Sequence, residues 1–198
     1  MKELSLHLLD IAQNSLAAGA RHVALGVEEA DGEITLTVAD DGRGMSPELL
    51  ARVTDPFTTT RTTRKVGMGL PLLRLAAEQT GGTLAVESRE GVGTTVTAVF
   101  HAGHIDCPPL GDLAATVALL AQGLSGETEL TYMHKGPQGA FTFDTAQVRA
   151  ILGPEVPLSL PEVAQWMEGY VAEGEAGLRP EAPPERGMRL DTVREGTT

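Results

Sequence analysis

Asp10 and Asn14 lie four residues apart in a segment with helical periodicity, which makes their side chains neighbours on one face of a helix. A carboxylate beside an amide offers oxygen ligands to a hard cation and can polarise a water molecule. Glu3 and His7 fall on the same side of the helix, so the alternative interpretation is an ordinary solvated polar face. The pair alone does not decide between the two interpretations.

A second carboxylate, Asp40, closes an apolar strand and opens a glycine turn of the form Asp-x-Gly-x-Gly. Ile34, Leu36 and Val38 share its parity, so Asp40 projects from the apolar face of that strand. An ionised group is costly at such a position unless hydrogen-bond donors surround it. Asp40 is therefore either a structural group with local partners or the acceptor for a ligand that donates hydrogen bonds.

Positive charge is concentrated in one segment of an otherwise acidic chain, residues 54–68, through Arg61, Arg64 and Lys65. The segment has little apolar periodicity, and it is interpreted either as a surface loop or as a lid whose cations meet phosphate oxygens. The sequence Gly67-Met68-Gly69 ends it and opens a helix, where backbone N–H groups and the helix dipole favour an anion. A short Gly-x-Gly is weak evidence when it stands alone.

The elements that position these residues alternate between helical and strand periodicity, which predicts an α+β protein. Asp31-Gly32 is a strong hairpin signal between two apolar strands, and Ser46-Pro47 is a typical helix start. The predicted elements are a helix over 3–18, strands over 23–27 and 34–38, a short helix over 46–53, a helix over 67–80, and strands over 83–88 and 94–100.

Four motifs in this order resemble the Bergerat ATP-binding fold of the GHKL superfamily, which includes gyrase, the large heat-shock chaperone, histidine kinases and MutL. They are the helix with Asn14, the Asp-x-Gly-x-Gly turn, a Gly-x-Gly-Leu before a helix, and Gly91-Val92-Gly93-Thr94 before a strand. Asp55-Pro56-Phe57 is similar to the Glu-Pro-Phe of histidine kinases. The resemblance covers about residues 3–101 and implies an α/β sandwich, with a mixed or antiparallel sheet and helices on one face, that binds ATP and magnesium.

The resemblance also implies roles for individual residues. Asn14 looks like the magnesium ligand that ties the metal to the triphosphate, Asp40 like the acceptor for the exocyclic amine of adenine, and Thr94 like the threonine that assists Asp40 directly or through water. The other ATP contacts that it implies lie in the glycine turns and the lid: Gly42, Gly44, Met45, Arg61, Arg64, Lys65, Gly67, Met68, Gly69 and Leu70.

Asp10 departs from the pattern of the hydrolytic members, which carry a glutamate at this position to activate water. Aspartate is shorter by one methylene, and Asp10 is the candidate general base of this chain. The segment from Asp10 to Ala20 looks more like the MutL helix than like the usual kinase helix. Kinase domains also carry acids there, so Asp10 does not decide between the classes.

Composition restricts the function classes further. The chain has 198 residues, a net charge of −12 and one cysteine, so an internal disulfide is excluded and nucleic acid is not expected as a partner. No apolar run approaches the ~20 residues of a membrane helix, and no signal peptide is visible. We therefore expect a cytoplasmic protein.

The second half of the chain carries weaker signals. Residues 1–101 are predicted as the ATPase domain, 102–109 as a linker, 110–172 as a small accessory α+β unit that docks a partner or a second copy, and 173–198 as a disordered tail. His101, His104 and Cys107 have a spacing that could hold zinc, but three ligands without a fourth favour an unliganded linker.

Three functions remain open at this stage. The first is a stand-alone histidine-kinase-like protein that transfers the γ-phosphoryl of ATP to an unidentified protein partner in trans. The second is an ATP-gated clamp with slow, MutL-like hydrolysis and closure of a homodimer. The third is a nucleotide-sensing interaction module without chemistry.

Overall fold

Six strands form one mixed sheet in the computed structural model, which describes residues 3–54, 68–153 and 155–178. The strands lie in the order β3-β4-β2-β1-β5-β6, and every neighbouring pair is antiparallel except β1 and β5. The described elements are α1 Leu4–Ala17, β1 His22–Ala30, β2 Glu33–Asp40, α2 Pro47–Leu50, α3 Gly69–Gln79, β3 Thr83–Arg89, β4 Gly93–His101, α4 Leu113–Gln122, β5 Glu129–Gly136, β6 Gly139–Asp144, α5 Thr145–Leu152 and α6 Pro161–Ala176.

One face of the sheet is buried under helices and the other face is at least partly exposed. The alternation follows from the period of two along each strand, since Val27, Leu36 and Ala98 meet in register on the covered face. Helices α1, α3 and α4 contact this sheet, and α4 also packs against α6. The predicted α+β class, with a mixed sheet and helices on one face, is confirmed.

The β1–β2 hairpin has the turn that the sequence predicts. Asp31 and Gly32 both adopt positive φ, at 54° and 79°, which is the conformation that a two-residue turn of the primed type requires. This turn sets the register of β1 and β2 and therefore places Asp40 opposite Val23 at the far end of the hairpin.

The segment predicted as an accessory unit adds two strands to the sheet of the ATPase half. Strand β5 lies parallel to β1, with Tyr132 opposite Leu25, and the chain between them supplies the crossover that parallel strands need. The predicted linker is bound at its end, since Leu4 N–H donates to the Pro109 carbonyl at 2.9 Å and Ser5 N–H to the Leu110 carbonyl at 2.8 Å. The domain boundaries stay a prediction, but the two halves share one hydrophobic core.

Helix α6 continues beyond residue 173, where the sequence predicts the start of a disordered tail. Glu175 accepts a hydrogen bond from the Tyr132 hydroxyl at 2.6 Å and lies 2.8 Å from His134 Nδ1, while Glu29 lies 3.1 Å from His134 Nε2. His134 is fully buried, and its two ring nitrogens lie between the two carboxylates. This network holds the end of α6 to the sheet; residues 179–198 lie outside the described residues.

His7 is buried, although its position on the helix wheel places it with the polar residues of α1. It is 1 % exposed, and neither ring nitrogen has a hydrogen-bond partner among the described residues. Burial, with a smaller contribution from the positive N-terminus, lowers the pKa of His7 to about 4. The helix wheel misses this burial because segments distant in sequence, residues 109–110 and α4, pack against α1 from a second side.

We expect His7→Leu to stabilise the protein most at mildly acidic pH. Between pH 6.5 and about 4 the unfolded chain binds a proton at His7 that the folded state does not, so native stability falls as pH falls through this window. The loss amounts to roughly 1–3 kcal/mol of unfolding free energy. Urea titrations at pH 7 and pH 5 should show a smaller acid-induced loss for the variant; equal losses in both proteins would contradict the assignment.

Candidate functional site

The Asp40 carboxylate lies at the end of β2 on the helix-covered face and is held by two donors. The Ser15 hydroxyl, from α1, donates to Oδ2 at 2.6 Å, and the Gly42 N–H donates to Oδ1 at 2.9 Å. The sequence left open whether Asp40 has local partners or awaits a ligand, and the structure shows the partners. Two donors occupy half of the lone-pair positions of a carboxylate, so Asp40 is oriented and can still accept from a ligand.

The turn after Asp40 needs glycine at two positions because other backbone segments approach it closely. A Cβ on Gly42 would lie 3.0 Å from Asp40 Oδ1 and 3.1 Å from the Ala18 Cβ. Gly44 has φ of +63°, and a Cβ there would lie 2.0 Å from the Arg89 carbonyl oxygen. The turn therefore lies directly against the end of α1 and the β3–β4 turn.

Ser88 connects this turn to Thr94. Met45 N–H donates to Ser88 Oγ at 2.9 Å, and the same hydroxyl lies 2.9 Å from Thr94 Oγ1 and 3.0 Å from the Gly93 carbonyl. Thr94 is the register partner of Asp40 across β2 and β4. Among the described contacts its hydroxyl meets Ser88 and not the Asp40 carboxylate, so the predicted direct assistance is not seen.

At the other end of the site, Asp10 touches the first turn of α3. A Cβ on Gly69 would lie 1.8 Å from Asp10 Oδ2, so the carboxylate occupies the space that only glycine leaves open. Gly69 is the first residue of α3, and the positive end of the helix dipole lies there. Met68 is half exposed and Leu70 is partly buried, whereas Asn14 lies one turn further along α1 and is partly exposed.

Asp41, next to Asp40, performs a structural role. Its Oδ1 accepts from the backbone N–H groups of Arg21 and His22 at 2.7 and 2.8 Å, and its Oδ2 lies 2.9 Å from His22 Nδ1. These bonds, with that to the His22 backbone first, lower the pKa of Asp41 to about 2. Asp41 therefore anchors the start of β1, and Asp40 is the aspartate that faces the site.

The predicted lid lies outside the described residues, together with Arg61, Arg64, Lys65, Gly67 and the Asp55-Pro56-Phe57 segment. Within the described part of the chain, no group of three or more His, Cys, Asp or Glu residues is arranged to hold a metal. His101 Nδ1 lies 3.4 Å from Glu33 Oε1, and His104 Nδ1 accepts from the Asp106 N–H at 3.1 Å. A magnesium ion with Asn14 would therefore need phosphate oxygens and water as its other ligands, which is the usual arrangement for magnesium bound with a nucleotide.

Two hydroxyl groups of the site were missed from the sequence. Ser15 shares the periodicity of the apolar residues Leu8 and Ile11 of α1, and this face turns toward β2 and the Asp40 carboxylate. Ser88 was treated only as a strand end, although it pairs with Thr94 in the β3–β4 register. A polar side chain at a buried position next to a motif residue is the signal that could have found both.

The fold and the two ends of the site define a nucleotide-binding domain of the α/β sandwich type. The family described as histidine kinase-, DNA gyrase B- and HSP90-like ATPase matches residues 2–104, and the chain belongs to this family. ATP binding follows from this membership.

Two curated relatives are similar to the first half of the chain. The histidine protein kinase DivJ of Caulobacter vibrioides is 36% identical over 101 residues, which are 49% of this chain and 17% of DivJ. The sensor histidine kinase ZraS of Escherichia coli is 33% identical over 92 residues, which are 46% of this chain and 20% of ZraS. The chain thus matches about a fifth of the length of these relatives.

A solved structure is similar over a longer stretch. The N-terminal domain of a DNA repair protein aligns with a TM-score of 0.53 and 14% identity over 73% of this chain and 52% of that chain. This likeness supports the fold alone. Among the described residues, no helix is long and apolar enough to cross a membrane.

We expect Ser15→Ala to weaken ATP binding, because Asp40 loses one of its two orienting donors. A lost hydrogen bond to a charged group corresponds to about 1.5–3 kcal/mol, or an increase in Kd on the order of tenfold or more. Ser5→Ala is the matched control, since it removes another buried hydroxyl of α1 away from Asp40. Calorimetric titration with ATP measures both; equal affinities would show that Ser15 does not orient the site.

Gly69→Ala should destabilise the protein because its methyl group would overlap the Asp10 carboxylate. Because Asp10 Oδ2 is the tip of a side chain that can rotate away, we expect a loss of only about 1 kcal/mol in unfolding free energy relative to Gly169→Ala. Asp10→Ala in the same chain should restore part of it by removing the overlapping atoms. Gly169→Ala, in α6 with open space around its Cβ, is the control. The close approach is refuted if Gly69→Ala and Gly169→Ala unfold alike.

Proposed function

We propose that the protein binds Mg-ATP and transfers the γ-phosphoryl group to a side chain of a partner protein in trans. The observation that carries this proposal is the position of Asp10, whose short carboxylate lies against Gly69 at the start of α3. Phosphoryl transfer depends mainly on positioning and charge neutralisation and needs no strong base. The named relatives, which are histidine kinases, support the same class.

The adenine end of ATP would be recognised by Asp40. Its carboxylate is oriented by Ser15 and Gly42 and accepts from the exocyclic amine. Gly42 lets the backbone pass under the base, because any side chain there would meet Asp40 and Ala18. Ser88 keeps Met45 and the Thr94 hydroxyl in fixed positions beside the base.

The phosphate end would lie at the N-terminus of α3. Backbone N–H groups around Gly69 and the helix dipole attract the anion, and Asn14 would bind the magnesium ion that the phosphates share. Bound magnesium supplies charge neutralisation across the β- and γ-phosphates. Arg61, Arg64 and Lys65 are the cations that the sequence offers for the remaining phosphate oxygens.

Transfer in trans agrees with where the five histidines of the chain lie. His7 and His134 are buried, and His22, His101 and His104 lie at or near strand ends. None of them is on an exposed helix face. In the reaction, a nucleophile of the partner protein forms a bond to the γ-phosphorus while the bond to the bridging oxygen of ADP breaks. ADP leaves with the electron pair of that bond.

The contact between Asp10 and α3 also favours a second function, an ATP-gated clamp with slow hydrolysis. A carboxylate that faces the phosphate end could take a proton from an attacking water. A nucleotide sensor without chemistry would use the same pocket and leave ATP intact. The three functions differ in the fate of the γ-phosphate.

We expect wild-type protein incubated with magnesium and γ-labelled ATP to bind the label without releasing free phosphate. Asp10→Asn should bind ATP equally and also release none, since the base is not required. Asp40→Asn should bind at least tenfold more weakly, because the amide replaces one acceptor oxygen by an NH2 donor where Ser15, the Gly42 N–H and the adenine amine all donate.

The clamp gives a different result in the same assay, whereas binding without release fits both a kinase that awaits its acceptor and a nucleotide sensor. Free phosphate that is released by the wild type and lost in Asp10→Asn would establish the clamp with Asp10 as its base. Undiminished binding by Asp40→Asn would overturn the ATP site itself.

A further inference from the structure

We infer that α6 and β6 form a docking surface for a positively charged segment of another protein. The surface consists of Phe141, Trp166 and Tyr170, which we call the aromatic stripe. Trp166 and Tyr170 are 48% and 44% exposed, which is unusual for such large side chains on a helix that packs against the core with its other face. Large exposed aromatic side chains that adjoin one another are typical of interaction sites.

The rings of the stripe pack on one another at the margin of the core, since Tyr170 also meets the buried Phe143 ring at 6.4 Å. Trp166 and Tyr170 stack with centroids 5.4 Å apart and planes at 12°, one helical turn from each other. Phe141, from the edge strand β6, meets Tyr170 at 5.6 Å with planes at 56°. The core face of α6 is formed by other residues, Val163, Met167 and Val171. The exposed parts of the Trp166 and Tyr170 rings are therefore available for a partner.

Carboxylates extend the stripe in both directions. Glu162 and Glu173 lie four residues before Trp166 and three residues after Tyr170, so they fall on the same flank of the helix. Both are exposed. Helix α6 contains four glutamates and neither lysine nor arginine, and β6 carries no basic residue. Aromatic faces between carboxylates attract guanidinium and ammonium groups by cation–π and ionic contacts.

Charge decides which occupant fits. A second copy of this chain would bring the same acidic helix and a net charge of −12 to the contact, so repulsion opposes it. Residues 179–198 contain four arginines and four acidic residues and are neutral overall. A segment of another protein with several arginines and apolar side chains between them matches both the exposed aromatic rings and the flanking carboxylates. The planar guanidinium stacks on aromatic rings better than an ammonium group.

The support under the stripe is rigid, and this surface is separate from the nucleotide pocket. The network of Glu175, His134 and Tyr132 holds the end of α6 to β5. A Cβ on Gly174 would lie 2.2 Å from the Phe141 ring, so β6 and α6 are in close contact beside the stripe. The inference goes beyond phosphoryl transfer and holds whether or not the protein transfers phosphate.

Trp166 is the only tryptophan of the chain, so intrinsic fluorescence reports on the stripe directly. The probe is a synthetic twelve-residue peptide of alternating arginine and leucine, titrated into the full chain, with a glutamate–leucine peptide as its control. We expect a saturable change in Trp166 emission with the first peptide only, and affinity that falls with added salt.

Two matched double variants distinguish peptide binding at the stripe from non-specific attraction to an acidic protein. Glu162→Gln with Glu173→Gln removes two charges on the flank and should weaken binding on the order of tenfold, and Tyr170→Ala by about three- to tenfold. Glu155→Gln with Glu168→Gln removes two exposed charges elsewhere and should change affinity less than twofold. Equal weakening by both double variants would overturn the inference.

Two measurements on the free protein test the other occupants. Acrylamide should quench Trp166 readily, and strong protection would mean that residues 179–198 already cover the stripe. As the protein concentration increases, sedimentation should show no dimer and Trp166 emission should stay unchanged. A dimer that forms together with a shift in that emission would assign the surface to a second copy instead.

Discussion

The carboxylate of Asp40 lies half-buried at the end of an apolar strand, and the site is built around its need for hydrogen-bond donors. Its two donors come from different elements, Ser15 from α1 and Gly42 from the turn after β2. Their positions hold only if α1 packs on the sheet and the turn folds back against Ala18. A desolvated carboxylate without them would be costly, so the packing of α1 and the orientation of Asp40 stabilise each other.

Close backbone approaches fix the rest of the pocket in the same way. Gly44 lets the turn touch the Arg89 carbonyl, and Gly69 lets α3 touch the Asp10 carboxylate. A methyl group would overlap the backbone of β3 at Gly44 and the tip of the Asp10 side chain at Gly69. The glycines at these two positions therefore have a steric reason, which is separate from the predicted role of Gly69 in binding an anion.

Spacing and residue type predict the structure correctly wherever it depends on residues close together in the sequence. The turn at Asp31-Gly32, the strand that leads to Asp40, and the helix that follows Gly69 can all be predicted from spacing and residue type. The burial of His7 and the partner of Ser15 depend on segments far away in the sequence, which no helix wheel includes. The parallel contact between β1 and β5 is likewise a long-range choice, because an apolar strand pattern does not specify its neighbour.

Through that parallel contact, the second half of the chain supports the strands that position Asp40. Strand β5 lies against β1, β1 against β2, and β2 ends in Asp40, so the C-terminal residues extend the platform on which the carboxylate sits. The Leu110 carbonyl and α4 hold the start of α1, the helix that supplies Asp10, Asn14 and Ser15. Removal of residues 110–178 would therefore expose the buried side chains of β1 and free the start of α1. The candidate nucleotide site and the aromatic stripe lie at two places on one sheet, so a partner bound at the stripe would have a fixed position relative to Asp40 and the start of α3.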